Sequence, residues 1–200
     1  MEILPSVSAV AEHHRDPYHV LVSTVISLRT KDQVTFQASD RLFAQAPDAA
    51  ALAALSEEEI AGLIYPAGFY RTKARNLRAI ARALQEEHGG AVPATEDGLL
   101  ALPGVGRKTA NLVLGLGFGI PAICVDTHVH RIPNRLGLVG TKTPEQTEEA
   151  LKESLPIEYW IDINGLLVSF GQQICTPVSP WCSRCPLAEL CARVGVTHSR

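Results

Sequence analysis

Four cysteines near the carboxyl end of the sequence have the type and the spacing of a metal-binding site. They form a C-x6-C-x2-C-x5-C pattern made of Cys175, Cys182, Cys185 and Cys191. Four thiolates this close together in a chain can bind one tetrahedral zinc ion or one iron–sulfur cluster. Zinc sites usually combine two C-x2-C or C-x2-H pairs, and this pattern has a single pair. The spacing therefore favours the cluster and leaves zinc open.

Disulfide bonds are the other possibility for these cysteines, and they are typical of secreted proteins. The first ten residues, MEILPSVSAV, lack the basic start and the long apolar core of a secretion signal. We therefore expect a metal site rather than disulfides. Cys124 lies apart from the four, in the apolar run PAICVD, and we expect it to be a buried core residue without a ligand role.

A second candidate site is the segment LPGVGRKTA, residues 102–110. Gly104 and Gly106 follow a proline, which is typical of a tight turn, and a helical pattern begins directly after them. The free N–H groups at such a helix start favour an anion such as a DNA phosphate, and Arg107 suits the same ligand. A plain connection between two helices is the alternative for this turn.

Lys108 lies on the first turn of that predicted helix. The positive end of the helix dipole and partial desolvation both favour a neutral amine, and a neutral amine is a nucleophile. A surface lysine that contacts phosphate fits the same residue equally well. The residue therefore has two open interpretations, one catalytic and one limited to binding.

Asp126 ends an apolar run in the segment CVDTHVHR. A carboxylate at such a position is costly unless it caps a helix or meets a cation. We expect Asp126 to be the N-cap of a helix, and a carboxylate held in that way can also face the amine of Lys108. His128 and His130 are two residues apart and share no helix face, so a zinc pair is not expected there.

The composition indicates a globular protein and limits how it can bind nucleic acid. The chain has 200 residues, of which 46% are hydrophobic, and a formal net charge of −3. With this acidic balance, any contact with DNA must use a local basic patch. No apolar stretch is long enough to span a membrane. We expect a soluble, cytoplasmic protein.

The periodicity predicts helices almost throughout, about ten of them with short loops, and few signs of strands. Three helix starts carry a capping-box pattern, namely Thr30 with Gln33, Ser56 with Glu59 and Thr143 with Gln146. One long predicted helix ends at Gly89. Its apolar face consists of Ala74, Leu77, Ala81 and Leu84.

Taken together, the segments LPGVGRKTANLVL and VDTHVHRIPNR and the cysteine pattern resemble the endonuclease III family of the helix-hairpin-helix DNA glycosylase superfamily. The segments GFYRTKARNL and EEHGGAVP resemble the family too, and the likeness extends from about residue 17 to Cys191. The resemblance implies an all-α fold of two lobes with a DNA cleft between them. A six-helix domain with the helix-hairpin-helix would span residues 10–120, and residues 1–9 and 121–200 would form a domain with an iron–sulfur cluster.

The resemblance also implies roles for the candidate residues. Lys108 is similar to the lysine of the family that forms a Schiff base, and Asp126 is similar to its catalytic aspartate, both at the mouth of the cleft. The four cysteines of the pattern resemble the ligands of a [4Fe–4S] cluster, which implies iron–sulfur rather than zinc. The lysine implies a bifunctional enzyme, because superfamily members without it remove bases without efficient strand cleavage.

The implied function is that of a DNA glycosylase and abasic-site lyase of base excision repair. The enzyme would remove oxidised pyrimidines of the thymine glycol type from damaged double-stranded DNA and cut the abasic strand by β-elimination. It would act as a monomer in the cytoplasm, associated with the nucleoid. Two alternatives stay open: a mismatch- or uracil-type glycosylase, and a DNA-binding iron–sulfur protein with little catalysis.

Two loops correspond to those with which family members fill the gap left by a flipped base. Ala67, Gly68 and Phe69 in the segment AGFY are candidates for contact with DNA. Phe69 suits an apolar wedge, with a core phenylalanine as the alternative. Arg29 in SLRTKD stands where the family often has glutamine. Its side chain suits a contact with the orphaned base or with a phosphate.

The base pocket has two candidate residues. Ser27 and Asp32 flank the loop that contains Arg29. Asp32 also suits a helix-start carboxylate, which is the slightly better interpretation.

Basic residues are unevenly distributed around these sites. A predicted helix that begins beside Phe69 has one basic face. This face suits a contact with the DNA backbone, and a solvated helix surface is the alternative interpretation. This face consists of Arg71, Arg75, Arg78 and Arg82. The family often has basic residues between its first two cluster cysteines, whereas TPVSPW here has none and Arg184 is the nearest. We therefore expect weak DNA affinity at this loop.

Overall fold

The computed structural model describes residues 6–14 and 16–200, and these residues form helices and loops without a β-strand. This confirms the predicted all-α class. The α-helices along the described chain are α1 Ser6–His14, α2 Pro17–Ser27, α3 Asp32–Gln45, α4 Ala49–Ala54, α5 Glu57–Ile64, α6 Tyr70–His88, α7 Glu96–Ala101, α8 Arg107–Leu112, α9 Thr127–Leu136, α10 Pro144–Ser154 and α11 Asp162–Gln173. A π-helical turn at Val113–Gly117 extends α8, and short 3-10 turns lie at Ile157–Tyr159 and Cys182–Arg184. Within the described ranges, no helix has both the length and the apolar character needed to cross a membrane.

The chain divides into two compact units between Ile120 and Pro121. Helices α1 to α8 belong to the first unit and α9 to α11 to the second. The sequence predicted residues 1–9 in the second unit, but residues 6–9 begin α1, which packs on α2 and α3 in the first. The remainder of that predicted segment, residues 1–5, lies outside the described residues.

The core of the first unit forms around α2 and α6. On α2, Leu21 and Ile26 are fully buried, and α4 and α5 pack against α6. The predicted apolar face of α6 is confirmed, because Ala74, Leu77, Ala81 and Leu84 are all fully buried. The helix ends at Gly89, which has a left-handed φ of 60° as predicted for a helix stop.

The three predicted capping boxes have different outcomes. The box at α5 is confirmed: Glu59 N donates to Ser56 Oγ at 3.2 Å, and Ser56 N donates to Glu59 Oε2 at 2.8 Å. The hydrogen bonds that the Glu59 carboxylate accepts from Ser56 N and from Ser56 Oγ lower the pKa of Glu59. At α10, Thr143 is the N-cap as predicted, but the Gln146 side chain accepts from Lys142 N rather than from the cap residue.

The predicted box at Thr30 is wrong. Helix α3 begins one residue later, with Lys31 at the N-cap and without a side-chain cap. The Thr30 hydroxyl instead accepts hydrogen bonds from Lys73 and from Gly68, which are distant in sequence. A tertiary contact has therefore taken the group that the local pattern assigned to the helix start.

The second unit has its own apolar core, which joins the segment before α9 to helices α9, α10 and α11. This core consists of Ile123, Val125, Val129, Ile132, Leu151 and Leu167. Asn164 Nδ2 donates to Cys124 O at 3.0 Å, which ties α11 to the chain before α9. Cys124 is buried, as predicted for a core cysteine.

Candidate functional site

The hairpin between α7 and α8 packs against α6 in the first unit. Gly104 has a φ of +73°, and a Cβ built there would lie 2.7 Å from Asn76 Nδ2 of α6. A side chain at this position would therefore be strained and would also displace the Asn76 amide. Val105 N donates to Leu102 O at 3.1 Å and closes the turn. The turn has the tight, glycine-dependent form that the sequence predicts.

Helix α8 starts without a side-chain cap. Its N-cap is Gly106, so the N–H groups of the first turn donate no hydrogen bond to a cap side chain. Such groups can donate to an external anion. Arg107 and Lys108 lie on this turn and are exposed, and Arg107 Nε is 3.6 Å from Glu96 Oε1. A carboxylate therefore shares the surface beside the uncapped helix start.

The exposure of Lys108 corrects one part of the sequence argument. Partial desolvation of its amine was expected, but the residue faces outward while Thr109, Ala110, Asn111 and Leu112 face the interior. Lys108 does lie on the first turn of α8, as predicted.

In the second unit, Asp126 is the N-cap of α9, as predicted. Its Oδ1 accepts from His128 N at 2.8 Å and from Val129 N at 2.9 Å. Both bonds use one oxygen, which leaves Oδ2 without a hydrogen bond to any of the residues that the structure describes. The carboxylate is thus oriented by its cap and still has one oxygen that can accept a proton.

Two loops of the first unit meet beside the start of α6. Arg29 and Phe69 have left-handed φ values of 53° and 56°, which are uncommon for residues other than glycine. The Arg29 guanidinium carbon lies 5.6 Å from the centre of the Phe69 ring, within cation–π range. Phe69 is 64% exposed, so the alternative of a core phenylalanine is wrong.

The backbones of these loops are in direct contact. Gly68 N donates to Thr30 Oγ1 at 3.1 Å, and a Cβ added to Gly68 would collide with Arg29 O. Only glycine fits this approach. Ala67 beside it is 2% exposed, so its side chain supports the loop and is not available for the DNA contact that the sequence predicted.

Lys73 joins the two loops from inside the protein, and the sequence analysis missed it. The residue is 5% exposed, and its Nζ donates to Ile26 O, Leu28 O and Thr30 Oγ1 at 2.7, 2.6 and 2.7 Å. Burial lowers the pKa of Lys73 to about 8. A signal for it exists in the sequence, because a lysine precedes Leu77 by four residues on the apolar stripe of α6.

The predicted basic face of α6 is smaller than expected. Arg71, Arg75 and Arg82 are exposed, whereas Arg78 is half-buried and donates from Nε to Leu55 O at 3.0 Å. Arg71 lies over the ring of Tyr70 at 5.7 Å. The exposed guanidinium groups begin within two residues of Phe69 and form the local positive patch that an acidic chain needs to bind DNA.

The two candidates for the base pocket have partners within the protein. Ser27 Oγ donates to Thr24 O at 2.7 Å. Asp32 is the first residue of α3, and its Oδ1 accepts from Ser6 Oγ at 2.8 Å. These contacts support the interpretation of Asp32 as a helix-start carboxylate, and the pocket role of both residues stays a prediction.

The four cysteines line one cavity of the second unit, together with Arg135 and Trp181. All four are free thiols, which fits a metal site rather than disulfides. Arg135 Nη1 donates to Cys175 Sγ at 3.6 Å and to Thr176 O at 2.7 Å, and Arg193 N donates to Cys191 Sγ at 3.4 Å. Donors directed at sulfur stabilise thiolate ligands.

The thiols of the described residues do not converge as a set of three or more ligands around a single metal ion.

Next to these thiols, Arg131 Nη2 donates to Cys175 O at 2.9 Å. Burial and the neighbouring Arg135 lower the pKa of Arg131. Two cationic side chains of α9 therefore hold the chain at the first cysteine of the pattern.

The loop between the first two cysteines has more basic side chains beside it than its sequence suggests. Arg184 and Arg200 lie over the ring of Trp181, at 4.2 and 4.0 Å from its centre. Arg200 Nε also donates to Ser179 O at 2.9 Å. Arg184, the nearest basic residue in the sequence, does lie beside this loop, and folding brings Arg200 to the same loop.

Comparison with known proteins gives consistent matches over most of the chain. The family model of the HhH-GPD superfamily base excision DNA repair protein matches residues 22–156. The Endonuclease III of Thermotoga maritima is 52% identical over 176 residues, which cover 88% of this chain and 83% of that protein. The Endonuclease III-like protein 1 of Bos taurus is 44% identical, and the match covers 90% of this chain and 63% of the bovine protein.

Solved structures give the same result. A trapped Endonuclease III–DNA covalent intermediate, an estranged-adenine complex, has a TM-score of 0.85 and 38% identity, covering 90% of this chain and 85% of that one. A thermostable thymine-DNA glycosylase has a TM-score of 0.84 and 27% identity, covering 94% of this chain and 93% of that one.

Lys73 gives the stability a pH dependence of defined sign. Its pKa is about 8 in the folded protein against an ordinary value of 10.5, so between these values the unfolded chain binds more protons. The contribution of Lys73 to stability is therefore smallest below pH 8, where the buried amine is charged, and increases as the pH rises. Between pH 8 and pH 10, the free energy of unfolding of wild type should gain about 2 kcal/mol relative to Lys73→Met. Urea unfolding at both pH values measures this, and a constant difference would contradict it.

Proposed function

The chain belongs to the HhH-GPD superfamily of base excision DNA repair proteins, and from this premise we propose that it is a bifunctional DNA glycosylase and abasic-site lyase. The observation that carries the proposal is the position of Lys108. Its amine is exposed on the first turn of a helix that follows a glycine hairpin and has no side-chain cap. A backbone phosphate held by that helix start brings the sugar of the same strand to the amine.

The proposed reaction begins with a base turned out of the duplex, because the sugar carbon cannot be attacked inside the stack. The Lys108 amine attacks C1′ of the deoxyribose, the bond from C1′ to the base breaks, and the base leaves with a proton. The sugar ring then opens to a Schiff base between C1′ and Nζ. This cation acidifies the C2′ proton, whose loss expels the 3′ phosphate and cuts the strand.

Asp126 has the proton-transfer role in this proposal. It accepts a proton from the Lys108 amine, directly or through a water molecule, and stabilises positive charge at the sugar. The cap bonds to His128 N and Val129 N use only Oδ1, so Oδ2 suits this task without loss of the helix cap. One carboxylate can thus combine a structural and a chemical role.

Duplex DNA binds, in this proposal, through the local features of the first unit. The helix start after Gly106 and the side chain of Arg107 contact phosphate, and Arg71 and Arg75 contact the backbone beside the flipped base. Phe69 fills the gap in the stack, and Arg29 faces the orphaned base. The exposure of Phe69 and its stacking with Arg29 support this assignment.

The cysteines of the second unit bind a [4Fe–4S] cluster in this proposal. Four free thiols on one cavity and two nitrogen donors directed at their sulfurs fit such a group. When bound, the cluster cross-links the loop from Cys175 to Cys191. We also propose that the enzyme acts as a monomer on damaged double-stranded DNA, in the cytoplasm and associated with the nucleoid.

Trapping of the Schiff base tests the reaction. Borohydride added to wild type on duplex DNA with an abasic site should give a covalent adduct, and Lys108→Ala should give none, because the attacking amine is lost. Asp126→Asn should retain the fold, since asparagine is an equally good N-cap, but should lower single-turnover base excision by about 100-fold or more. The exposed Lys142→Ala serves as a matched control with a normal adduct. An adduct of full yield with Lys108→Ala would refute the role of Lys108.

A mismatch- or uracil-type glycosylase is the second candidate function. The likeness to the thermostable thymine-DNA glycosylase and the arginine at position 29 favour it. A panel of duplexes separates the candidates. They contain thymine glycol, dihydrouracil, uracil, 8-oxoguanine or a G·T mismatch, and each modified base is placed in turn opposite all four normal bases. We expect thymine glycol and dihydrouracil to be released first, and Arg29→Gln to change the preference for the orphan base. Tight binding without release of any base would instead indicate a weakly catalytic DNA-binding protein.

Iron analysis tests the cluster. Purified wild type should contain about four iron atoms per chain and absorb visible light, and Cys182→Ser should lose both because one thiolate ligand is missing. Cys124→Ser is the matched control and should retain the iron, since Cys124 is buried in the core apart from the cavity. Stoichiometric zinc in place of iron would overturn the assignment.

A further inference from the structure

A buried ammonium group without a carboxylate partner lies behind the two loops that present Arg29 and Phe69. No carboxylate of the described residues pairs with Lys73, whose Nζ donates to two backbone carbonyls and one hydroxyl. The ammonium group has three N–H donors, and each has an acceptor at 2.6 to 2.7 Å. Burying a charge in this way costs free energy of folding, so a lysine at this buried position indicates a role beyond filling space.

All three acceptors lie on one short segment. Ile26 O is in the last turn of α2, Leu28 O follows that helix, and Thr30 Oγ1 belongs to the loop before α3. We call residues 28–31 the arginine loop and residues 66–69 the phenylalanine loop. Lys73 is on the first turn of α6, directly after the phenylalanine loop, so its side chain joins the two loops across the start of that helix.

The Thr30 hydroxyl completes the connection. It accepts from Lys73 Nζ at 2.7 Å and from Gly68 N at 3.1 Å, so one oxygen binds both the helix and the phenylalanine loop. Gly68 is pressed so closely against Arg29 O that a Cβ would not fit. The two loops therefore form one element with a fixed distance between Arg29 and Phe69.

Two of the four non-glycine residues with a left-handed φ in the described chain lie at the same place. Arg29 and Phe69 both have left-handed φ values, and such conformations persist only where the surrounding contacts determine them. The two strained residues are those whose side chains are stacked and exposed. The contacts that impose the strain are those of Lys73, Thr30 and Gly68.

We propose that Lys73 is a positioning residue for base excision: its ammonium group assembles the arginine loop and the phenylalanine loop into one rigid element that opens duplex DNA. Lys73 does not touch DNA in this role, since it is buried. It acts through Arg29 and Phe69, which must enter the duplex at a fixed separation. The inference rests on the proposed glycosylase and lyase function and adds a requirement specific to double-stranded substrate.

Two substrates separate this role from a general loss of structure. Excision of thymine glycol from a duplex requires opening of the stack, whereas cleavage of a single-stranded oligonucleotide with a preformed abasic site does not. Lys73→Met should lower single-turnover excision from the duplex by at least tenfold and leave single-strand cleavage within twofold of wild type. Thr30→Val, which removes the shared acceptor, should have the same pattern, and Thr30→Ser, which keeps the hydroxyl, should be close to wild type.

Lys152→Met is the matched control. Lys152 pairs with the buried Glu148 at 2.7 Å in the second unit, so this variant also loses an internal contact of an ammonium group, but away from the loops. Lys152→Met should keep the wild-type ratio of duplex excision to single-strand cleavage. Both rates are measured at a temperature at which circular dichroism shows that the variants are folded. If Lys73→Met does not fold, the pair Thr30→Val and Thr30→Ser decides the question.

The outcomes are distinct. Equal loss on both substrates, or no loss on the duplex in a folded Lys73→Met, would overturn the positioning role. If wild type itself neither excises a base nor forms a borohydride adduct, the proposed function fails instead. Duplex opening then remains measurable with 2-aminopurine opposite an abasic site, whose fluorescence wild type should raise and Lys73→Met should not. An equal rise with both proteins would overturn the inference.

Discussion

The ammonium group of Lys73 determines how the first unit presents its surface. Its three hydrogen bonds join the first turn of α6 to the end of α2 and to the loop before α3. Charge-assisted hydrogen bonds are stronger than neutral ones, and three of them converge on one nitrogen. One helical turn further along α6, Asn76 meets the hairpin at Gly104. The two loops and the hairpin are therefore both held by α6, through Lys73 and Asn76, which are about 4.5 Å apart along the helix axis.

The second unit has a comparable arrangement on α9. Its first turn is capped by Asp126, and its last turn carries Arg135, which donates to Cys175 Sγ, Thr176 O and Pro177 O. The helix is anchored between these ends by Val129 and Ile132 in the apolar core. A helix of this length spans about 15 Å, and it supports the candidate catalytic carboxylate at one end and the cysteine loop at the other.

Sequence patterns were sufficient where the decisive contacts are local. The apolar face of α6, the box of Ser56 and Glu59 and the cap at Asp126 each involve residues within four positions or one helix face, and each is confirmed. The box at Thr30 failed because a lysine 43 positions away takes the hydroxyl. The contact of Arg200 with Trp181 was likewise out of reach of any local pattern.

The predictions for the candidate site divide in the same way, into features that depend on local sequence and features that depend on tertiary packing. Residue types and spacing predicted Lys108, Asp126 and the four cysteines as chemical groups, and the hairpin has the expected form. Exposure was beyond prediction, because it depends on which side of an element faces the core: Lys108 on α8 is exposed, and Ala67 in the loop before α6 is buried. Lys73 was overlooked because a lysine is normally assigned to the surface, although its place on the apolar stripe of α6 indicated burial.

The left-handed backbone at Arg29 and Phe69 has a consequence for attempts to make the protein more heat-resistant. Such a conformation costs a non-glycine residue on the order of 1–3 kcal/mol, and glycine adopts it without that penalty. Selection for thermal tolerance alone would therefore favour glycine at both positions and would discard the two side chains to which we assign the proposed opening of the duplex. Positions 29 and 69 are thus where stability and activity are in direct opposition, and a thermostabilised variant should keep both residues fixed.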